Sequence, residues 1–250
     1  MLAYQFLPAG DKAVNITFER RVSSVINQQI LKLQQRLKNL NVEGITGFLP
    51  AFRTLTIFYD PVQVSLAQLK KIVNAAILDG HQLAVSPSKR VHIPVCYDSS
   101  FGPDLDTIAK QSHLSREKVI ERHSQQDYLI YMLGFLPGFA YLGGLDPDLA
   151  TPRLATPRLK IAPGSVGIAG EQTGMYPIES PGGWQIIGRT PLHLFQPESA
   201  HPFYYQAGDY IHFDVISRSE YNDIAAHLED YHVQVDTLPT MEMGVSQHGA

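Results

Sequence analysis

The chain has 250 residues, of which 44% are hydrophobic and 18% charged, and its formal net charge is −4. This is the composition of an ordinary globular protein with one large or two smaller domains, and it excludes an electrostatic case for binding nucleic acid or an anionic membrane. Neither a spanning helix nor a signal peptide is predicted, and the single cysteine, Cys96, excludes an internal disulfide and fits a reducing cytoplasm.

The first part of the chain alternates between strand and helix patterns. The predicted elements are a strand at 13–18, a helix at 25–40, strands at 42–53 and 55–59, and a helix at 66–77. A capping box formed by Ser65 and Gln68 starts the second helix. A strand at Val91–Val95 would close the βαββαβ pattern of a ferredoxin-like sandwich. We place this domain at residues 1–86.

The second part opens with a strand at 90–96 and then becomes rich in turns. Helices are predicted at 105–111 and at 116–124, the latter capped by Ser115, and their outward faces are not basic enough for a DNA-binding helix-turn-helix. The remaining predicted elements are strands at 128–133, 165–169, 184–187, 192–195 and 210–215, a helical turn at 222–227, and a last strand at 231–235. Many short strands between Gly and Pro turns indicate a barrel or sandwich, which we place at residues 87–240, with a loose tail at 241–250.

The segment from Gly134 to Arg189 contains eleven of the nineteen glycines, together with many prolines and aromatic residues. Flexible linkers lack large apolar groups to bury. The segment is therefore predicted to form a shaped, folded surface, and small-molecule or partner recognition is usually built on such surfaces.

Several residues in and near this segment have the chemistry of a ligand site. The guanidinium groups of Arg153, Arg158 and Arg189 have the geometry to bind a carboxylate or phosphate. Alternatively, each arginine donates hydrogen bonds to loop carbonyls and has only a structural role. The Gly-containing turns either present their backbone N–H groups to an anion or serve only as tight turns. Trp184 either forms a wall of the ligand site or fills the interior of the barrel. The candidate substrate-binding residues are Arg153, Arg158, Gly164, Ser165, Gln172, Tyr176, Gly183, Trp184, Arg189 and Thr190.

No complete catalytic set is recognisable in the sequence. There is no P-loop and no dinucleotide fingerprint, and Ser165 lacks a Gly-x-Ser-x-Gly elbow. His212 and Asp214 share one strand face without further ligand candidates, so no metal site is predicted, and Cys96 has no activating motif. The catalytic residue stays unassigned.

The motifs of the glycine-rich segment resemble those of one family. They are Gly134-Phe-Leu-Pro-Gly-Phe-Ala-Tyr-Leu142, Thr156-Pro-Arg158, Pro163-Gly-Ser-Val166, Gln172-Thr-Gly-Met-Tyr-Pro177, Ser180-Pro-Gly-Gly-Trp184 and Ile187-Gly-Arg-Thr-Pro191. The chain resembles the family of KipI and the B subunit of 5-oxoprolinase, also called allophanate hydrolase subunit 1, which is similar to subdomains C and D of the carboxyltransferase domain of urea carboxylase. The resemblance extends from Ala9 to Asp209; the departures are Lys160–Pro163 and the tail after Thr237.

The resemblance implies an α+β protein with an N-terminal ferredoxin-like α/β sandwich and a C-terminal cyclophilin-like β-barrel. It also implies the C subunit of 5-oxoprolinase as a direct partner and the A subunit of that enzyme as a functional one. Together these polypeptides use ATP to open the lactam ring of 5-oxo-L-proline (pyroglutamate), giving L-glutamate. Since the chain has no P-loop, ATP with Mg²⁺ is expected at a site shared with the partner.

The same family also implies an alternative of a different class. Its KipI-type members inhibit a sensor histidine kinase by blocking autophosphorylation, and Phe135, Phe139 and Tyr141 would then be docking residues. A prolyl isomerase activity would rest on fold analogy alone. Neighbouring genes for the A and C subunits of 5-oxoprolinase would favour the enzyme, and a kinase-regulatory neighbourhood would favour the inhibitor.

Overall fold

The computed structural model describes residues 3–21, 23–78 and 88–238 of an α+β protein. Its first part is a four-stranded antiparallel sheet in the order β1-β2-β4-β3 with two helices. The elements are β1 (Gln5–Pro8), β2 (Ala13–Thr17), α1 (Ser24–Leu40), β3 (Ile45–Pro50), β4 (Thr54–Tyr59) and α2 (Leu66–Leu78). Apolar residues of β2, β4 and both helices form one core, which includes Val14, Ile57, Ile30 and Val73.

The predicted elements of this part are confirmed, with one addition and one correction. In the capping box, the Ser65 amide donates to Gln68 Oε1 at 2.9 Å and the Gln68 amide donates to Ser65 Oγ at 3.3 Å. Strand β1 has no counterpart among the predicted elements, and it pairs along the outer side of β2. The prediction that Val91–Val95 closes this sheet is wrong, because those residues belong to a strand that pairs with residues 210–215 in the second sheet.

The second part is built on an eight-stranded sheet in the order β12-β9-β10-β7-β6-β13-β5-β14. Its strands are β5 (Lys89–Val95), β6 (Asp127–Leu133), β7 (Ala140–Gly143), β9 (Ser165–Ala169), β10 (Gln172–Met175), β12 (Gln185–Arg189), β13 (Tyr210–Val215) and β14 (Val235–Thr237). Strand β13 runs parallel to β5, and the other pairs are antiparallel. The other elements are α3 (Leu105–Gln111), α4 (Arg116–Ser124), a 3₁₀ turn (Pro147–Leu149), α5 (Arg218–Ala226) and a separate pair of strands, β8 (Arg158–Ile161) and β11 (Ser180–Gly182).

Strand pairing within the described residues does not close this sheet into the expected barrel. The terminal strands of the order, β12 and β14, do not pair with each other among those residues. Instead, Cys96, just past β5, exchanges two backbone hydrogen bonds of 2.9 and 3.0 Å with Arg189 at the end of β12. This single bridge brings β12, at one edge of the sheet, next to the end of β5 near the other edge, but the two strands do not form a continuous ladder.

The two leading helices of the second part are confirmed at their predicted bounds, whereas later elements differ. Residues 192–195 form no strand, and the last strand is 235–237 rather than 231–235. The helical turn predicted at 222–227 is replaced by the longer helix α5, which ends at Ala226. Ser217 and Glu220 form a capping box that starts α5. The predicted boundary after residue 86 and the predicted tail at 241–250 lie outside the described residues, so the division into domains stays a prediction.

Polar and aromatic contacts join the two parts. The Asn27 side chain of α1 donates to the Tyr131 carbonyl of β6 at 2.9 Å. The Phe52 ring lies 5.2 Å from the Tyr131 ring and 5.9 Å from the Tyr141 ring. The first sheet therefore packs, through its β3–β4 turn, against the face of the second sheet that carries these tyrosines. No helix in the described part of the chain is long and apolar enough to cross a membrane.

Candidate functional site

An aromatic cluster occupies the interior of the glycine-rich segment. We call it the Trp184 cluster, and its buried members are Phe139, Ile161, Ala169, Tyr176, Trp184 and Ile186. The rings of Phe139 and Trp184 pack edge to face at 5.4 Å, and Tyr176 packs in the same way on Phe139 at 5.5 Å. Because Trp184 is only 5% exposed, its indole is an internal plug in the described fold rather than an open ligand wall.

The Trp184 cluster is locked by a buried carboxylate that sequence reasoning missed. Asp104, at the start of α3, accepts a 2.7 Å hydrogen bond from Arg158 Nη2 and a 2.6 Å hydrogen bond from the Ile186 amide. Arg158 Nη1 also donates to the Trp184 carbonyl at 3.3 Å. Two of the nitrogens of Arg158 are therefore used inside the fold, which favours a structural tie. The signal for Asp104 was its position directly before the first residue of a predicted helix.

Arg153 lies near the same cluster and differs from Arg158 in having no partner among the described residues. Its side chain is exposed and makes no hydrogen bond or ion pair within that part of the chain. Burial raises the pKa of the Tyr176 hydroxyl to about 12, although a backbone hydrogen bond at Trp184 and the charges of Arg153 and Arg158 lower it. Both arginines thus act electrostatically on Tyr176. Gly183 directly precedes Trp184, and its carbonyl accepts a hydrogen bond of 2.7 Å from the Leu154 amide, next to Arg153 in the chain.

The turn at Gly164 and Ser165 is a structural junction between strands. Gly164 has a φ of +76°, and a Cβ at this position would collide with the Thr190 carbonyl oxygen. The Gly164 amide donates to the Tyr176 carbonyl at 2.7 Å, and its own carbonyl accepts from the Thr190 amide at 2.9 Å. Only glycine allows both the dihedral angle and the close approach. The turn's backbone is therefore occupied by neighbouring chain rather than open as an anion nest.

Arg189 is the candidate arginine that lines an open cavity. A groove of about 660 Å³ runs between α5 with residues 228–229 on one side and residues 177–179 and 189–193 on the other. Arg189 Nε donates to the Pro163 carbonyl at 2.9 Å, and its guanidinium lies 5.7 Å from the centre of the Phe101 ring. Its two terminal nitrogens have no hydrogen-bond or ion-pair partner within the described residues. The guanidinium is thus held at one nitrogen and has free donors at the groove.

The groove has the size and mixed lining of a ligand site. Its volume falls in the range of roughly 300–1,000 Å³ that small-molecule sites occupy. Its walls combine apolar residues such as Leu192 and Phe195 with the polar residues Glu179, His193 and Glu229, and Arg189 is the only Arg or Lys among the described residues that line it. A rigid guanidinium with two free nitrogens in such a groove suits a carboxylate or phosphate.

The ten candidate residues therefore fall into separate places. Arg189 and Thr190 line the groove. Arg153, Arg158, Tyr176, Gly183 and Trp184 lie at or around the Trp184 cluster, whereas Gly164 and Ser165 form the junction between the two places. Gln172 begins β10 and pairs with Ala169, so it lies at the turn that joins β9 to β10. Sequence reasoning also missed the wall of the groove that α5 provides. Among the described residues, no group of three or more His, Cys, Asp or Glu side chains could hold a metal ion.

Comparison with known proteins defines the class. The family described as the carboxyltransferase domain, subdomain C and D, matches residues 4–205, and the chain belongs to this family. The resemblance drawn from the glycine-rich motifs is confirmed. The chain is 40% identical over 229 residues to the 5-oxoprolinase B subunit of Bacillus subtilis (strain 168), covering 88% of this chain and 95% of that protein. It is 38% identical over 206 residues to the 5-oxoprolinase B subunit of Escherichia coli O157:H7, covering 82% and 92%.

A solved structure adds information about size. The crystal structure of TTHA0988 matches with a TM-score of 0.74 and 32% sequence identity, covering 82% of this chain and 40% of that chain. This chain thus corresponds to about two-fifths of the length of TTHA0988. In that protein, the part that corresponds to this chain is continuous with a larger body of polypeptide.

Proposed function

We propose that the chain is the B subunit of an ATP-dependent 5-oxoprolinase, which opens the lactam ring of 5-oxo-L-proline to give L-glutamate. The observation that carries this proposal is the identity of 38–40% to proteins named as the B subunit of 5-oxoprolinase, with more than nine-tenths of each relative covered. The proposal includes the finer features expected from the family, namely a ferredoxin-like and a cyclophilin-like fold and a cytoplasmic location.

The groove beside Arg189 supports a role in binding the substrate. 5-Oxoproline carries one carboxylate on a small ring, and Arg189 has two free donors at a groove with both apolar and polar walls. We assign Arg189 to the substrate carboxylate, since a guanidinium fork binds a carboxylate through two parallel hydrogen bonds. Pro163 and Phe101 position the guanidinium before the substrate arrives.

The rest of the site is proposed to come from partner polypeptides. No P-loop is present, and the possible bases among the described residues of the groove lining, His193, Glu179 and Glu229, form no hydrogen bond or ion pair with Arg189. The match to only 40% of TTHA0988 supports a protein that works with further polypeptide. We propose that the direct partner is the C subunit of 5-oxoprolinase, that the functional partner is the A subunit, and that ATP with Mg²⁺ binds at a shared site.

The proposed chemistry explains why such a site is divided. A lactam carbonyl is a poor electrophile, so its oxygen first accepts the γ-phosphoryl group of ATP, releasing ADP. Water then attacks the activated carbon, and the ring C–N bond breaks to give γ-glutamyl phosphate, with the ring nitrogen leaving as the protonated amine. A second water hydrolyses this acyl phosphate to glutamate and phosphate. These steps develop negative charge on oxygen, which fixed cationic and N–H donors stabilise. The contribution of this chain is to hold the carboxylate end of the substrate.

Substitutions of Arg189 test this assignment in the complex reconstituted from this chain and the A and C subunits. Arg189→Ala is expected to lower kcat/KM roughly a hundredfold or more, because the carboxylate loses its positioning contact. Arg189→Lys should recover only part of the loss, since an ammonium cannot form the bidentate pair. Arg116→Ala is the matched control, because Arg116 pairs with the exposed Asp106 on α3, outside the groove.

Two readouts separate a catalytic loss from a folding or assembly loss. Urea unfolding followed by the fluorescence of Trp184 should be nearly unchanged in Arg189→Ala, and the complex should still co-elute on gel filtration. Full turnover in an intact Arg189→Ala complex would show that Arg189 is only a structural tie. If no wild-type combination releases glutamate and a purified sensor histidine kinase is inhibited instead, the inhibitor alternative replaces the proposal.

A further inference from the structure

Charged side chains of alternating sign lie on four neighbouring strands of the eight-stranded sheet, and none of them is among the residues that line the groove. They are Arg90 and His92 on β5, Asp127 on β6, His212 and Asp214 on β13, and Asp236 on β14. His212 and Asp214, which the sequence places on one strand face, are thus part of a larger array. The array joins the C-terminal strand β14 to the middle of the sheet.

His92 is the centre of this array, and both of its ring nitrogens face carboxylates. Nδ1 lies 3.1 and 3.2 Å from the two carboxylate oxygens of Asp214, and Nε2 lies 3.1 Å from Asp236 Oδ2. A neutral imidazole has one N–H donor, and its other nitrogen would face a carboxylate oxygen lone pair to lone pair. An imidazolium donates to both carboxylates. With both carboxylates ionised, the geometry is satisfied only by a protonated His92.

The groups that surround His92 agree with this protonation state. Burial lowers the pKa of His92, but the hydrogen bonds and charges of Asp214 and Asp236 outweigh burial and raise the pKa above 6.5. The hydrogen bond from His92 lowers the pKa of Asp236. Three other titratable or charged groups face the array. Arg90 pairs with Asp127 at 2.9 Å and with Asp236 at 3.4 Å, and His212 pairs with Asp127 at 2.8 Å. Burial and Asp214 raise the pKa of the third group, the Tyr231 hydroxyl.

Strand β14 depends on these contacts because its own attachment is small. It is an edge strand of three residues, paired only with β5 among the described strands, and Val235 and Thr237 are exposed. Two flanking hydrogen bonds extend the pairing, from the His92 amide to the Gln234 carbonyl at 3.0 Å and from the Leu238 amide to the Ser88 carbonyl at 2.9 Å. The side chain of Asp236 adds bonds to His92 and Arg90.

The same strand anchors one wall of the groove. Helix α5 has no buried residue, and the chain between α5 and β14 packs only partly buried side chains on the core. These side chains include Leu228, Tyr231 and Val233. The segment that walls the groove is thus held at its C-terminal end by β14.

We propose that His92 is a proton-operated clasp that, when protonated, holds β14 and the groove wall before it against the sheet through Asp236 and Asp214. Deprotonation removes one hydrogen bond and leaves a nitrogen lone pair facing a carboxylate, so the hold of β14 weakens. The direction follows from linkage: the stabilisation is fully present below about pH 6.5, the ordinary value, and is lost as pH rises through the higher pKa of the folded state. The inference is independent of the proposed enzymatic function.

Hydrogen exchange of the full chain tests the clasp directly. The peptide covering residues 232–238 should lose protection between pH 6 and pH 8.5, by roughly three- to tenfold after correction for the intrinsic exchange rate, because one charge-assisted bond to a partly exposed carboxylate is lost. A peptide covering β9 and β10 should not change. His92→Gln should show the low protection of the deprotonated state at both pH values, and His201→Gln, an exposed histidine without side-chain partners among the described residues, should behave as wild type.

A second measurement keeps the test decisive if His92→Gln does not fold. The imidazole of His92 in the wild-type chain should titrate above pH 6.5 in an NMR pH series, together with chemical-shift changes at Asp236 and Leu238. A titration at or below 6.5 would overturn the clasp. So would a pH-dependent loss of protection at residues 232–238 that is the same in His92→Gln and in wild type.

Discussion

Replacing Asp104 by Asn should destabilise the second part of the protein strongly, although the two side chains have almost the same size and shape. The two carboxylate oxygens of Asp104 serve two donors, Arg158 Nη2 at 2.7 Å and the Ile186 amide at 2.6 Å. An Asn side chain offers one oxygen and one NH₂ group. Either orientation therefore places two donors face to face, and Arg158 also loses its counter-charge.

The magnitude follows from burial. The side chains of Asp104 and Arg158 are 10% and 32% exposed, so water replaces the lost contacts only in part. Breaking such a pair and leaving a buried donor unpaired costs about 2–3 kcal/mol of unfolding free energy. The loss should be distributed over the start of α3, strand β12 and the loop at Trp184, because Asp104 joins all three.

Trp184 provides a specific probe for the measurement. It is the only tryptophan and is 5% exposed, so urea unfolding followed by its fluorescence reports on the part of the protein that contains Asp104. Asp106→Asn is the matched control on the same helix, where the carboxylate is 61% exposed and pairs with Arg116, and it should change stability by less than about 0.5 kcal/mol. Equal stabilities of the two variants would refute the role assigned to Asp104.

Two further predictions concern the interior of the second part. His123 is fully buried between Tyr97 and Thr173, and burial lowers its pKa to about 3. The unfolded chain therefore binds the proton more readily, so the free energy of unfolding falls as pH falls below 6.5. Protonation of His123 alone should lower the free energy of unfolding by about 2 kcal/mol between pH 7 and pH 5. An NMR titration of the His123 imidazole above pH 5 would contradict the assignment. At Gly164, a Cβ would collide with the Thr190 carbonyl at a φ of +76°, so Gly164→Ala should cost about 3 kcal/mol. Gly170→Ala, with a φ of +58° and open space around it, should cost only about 1 kcal/mol in the same urea titration, and equal costs would show that the turn relaxes.

Local sequence patterns predicted the elements whose stability is local. Helices α3 and α4 have the bounds that their apolar spacing and the cap at Ser115 indicate, and the capping box at Ser65 is formed. Strand β1 has no such signal, because three of its four residues are exposed and it ends in Pro8. Its pairing with β2 comes from chain reversal at Gly10, not from alternation.

The pairing of strands that are distant in the chain could not be predicted from the sequence. Strand β5 reads equally well as the last strand of the first sheet or the first strand of the second, and only its parallel pairing with β13, more than a hundred residues later, decides between them. The arginines show the same limit. Arg158 and Arg189 lie in similar Gly- and Pro-rich surroundings, but Asp104 reaches Arg158 from 54 residues away, and nothing comparable among the described residues reaches Arg189. Which guanidinium has free donors depends on that distant carboxylate.

The central claim is that this chain supplies one part of a divided 5-oxoprolinase site. The most direct measurement is glutamate release from 5-oxoproline by the purified A and C subunits, with ATP and Mg²⁺, in the presence and absence of this chain. We expect no release by this chain alone or by the other two alone, and ATP-dependent release when all three are combined. Equal release with and without this chain, or none from the assembled complex, would contradict the claim.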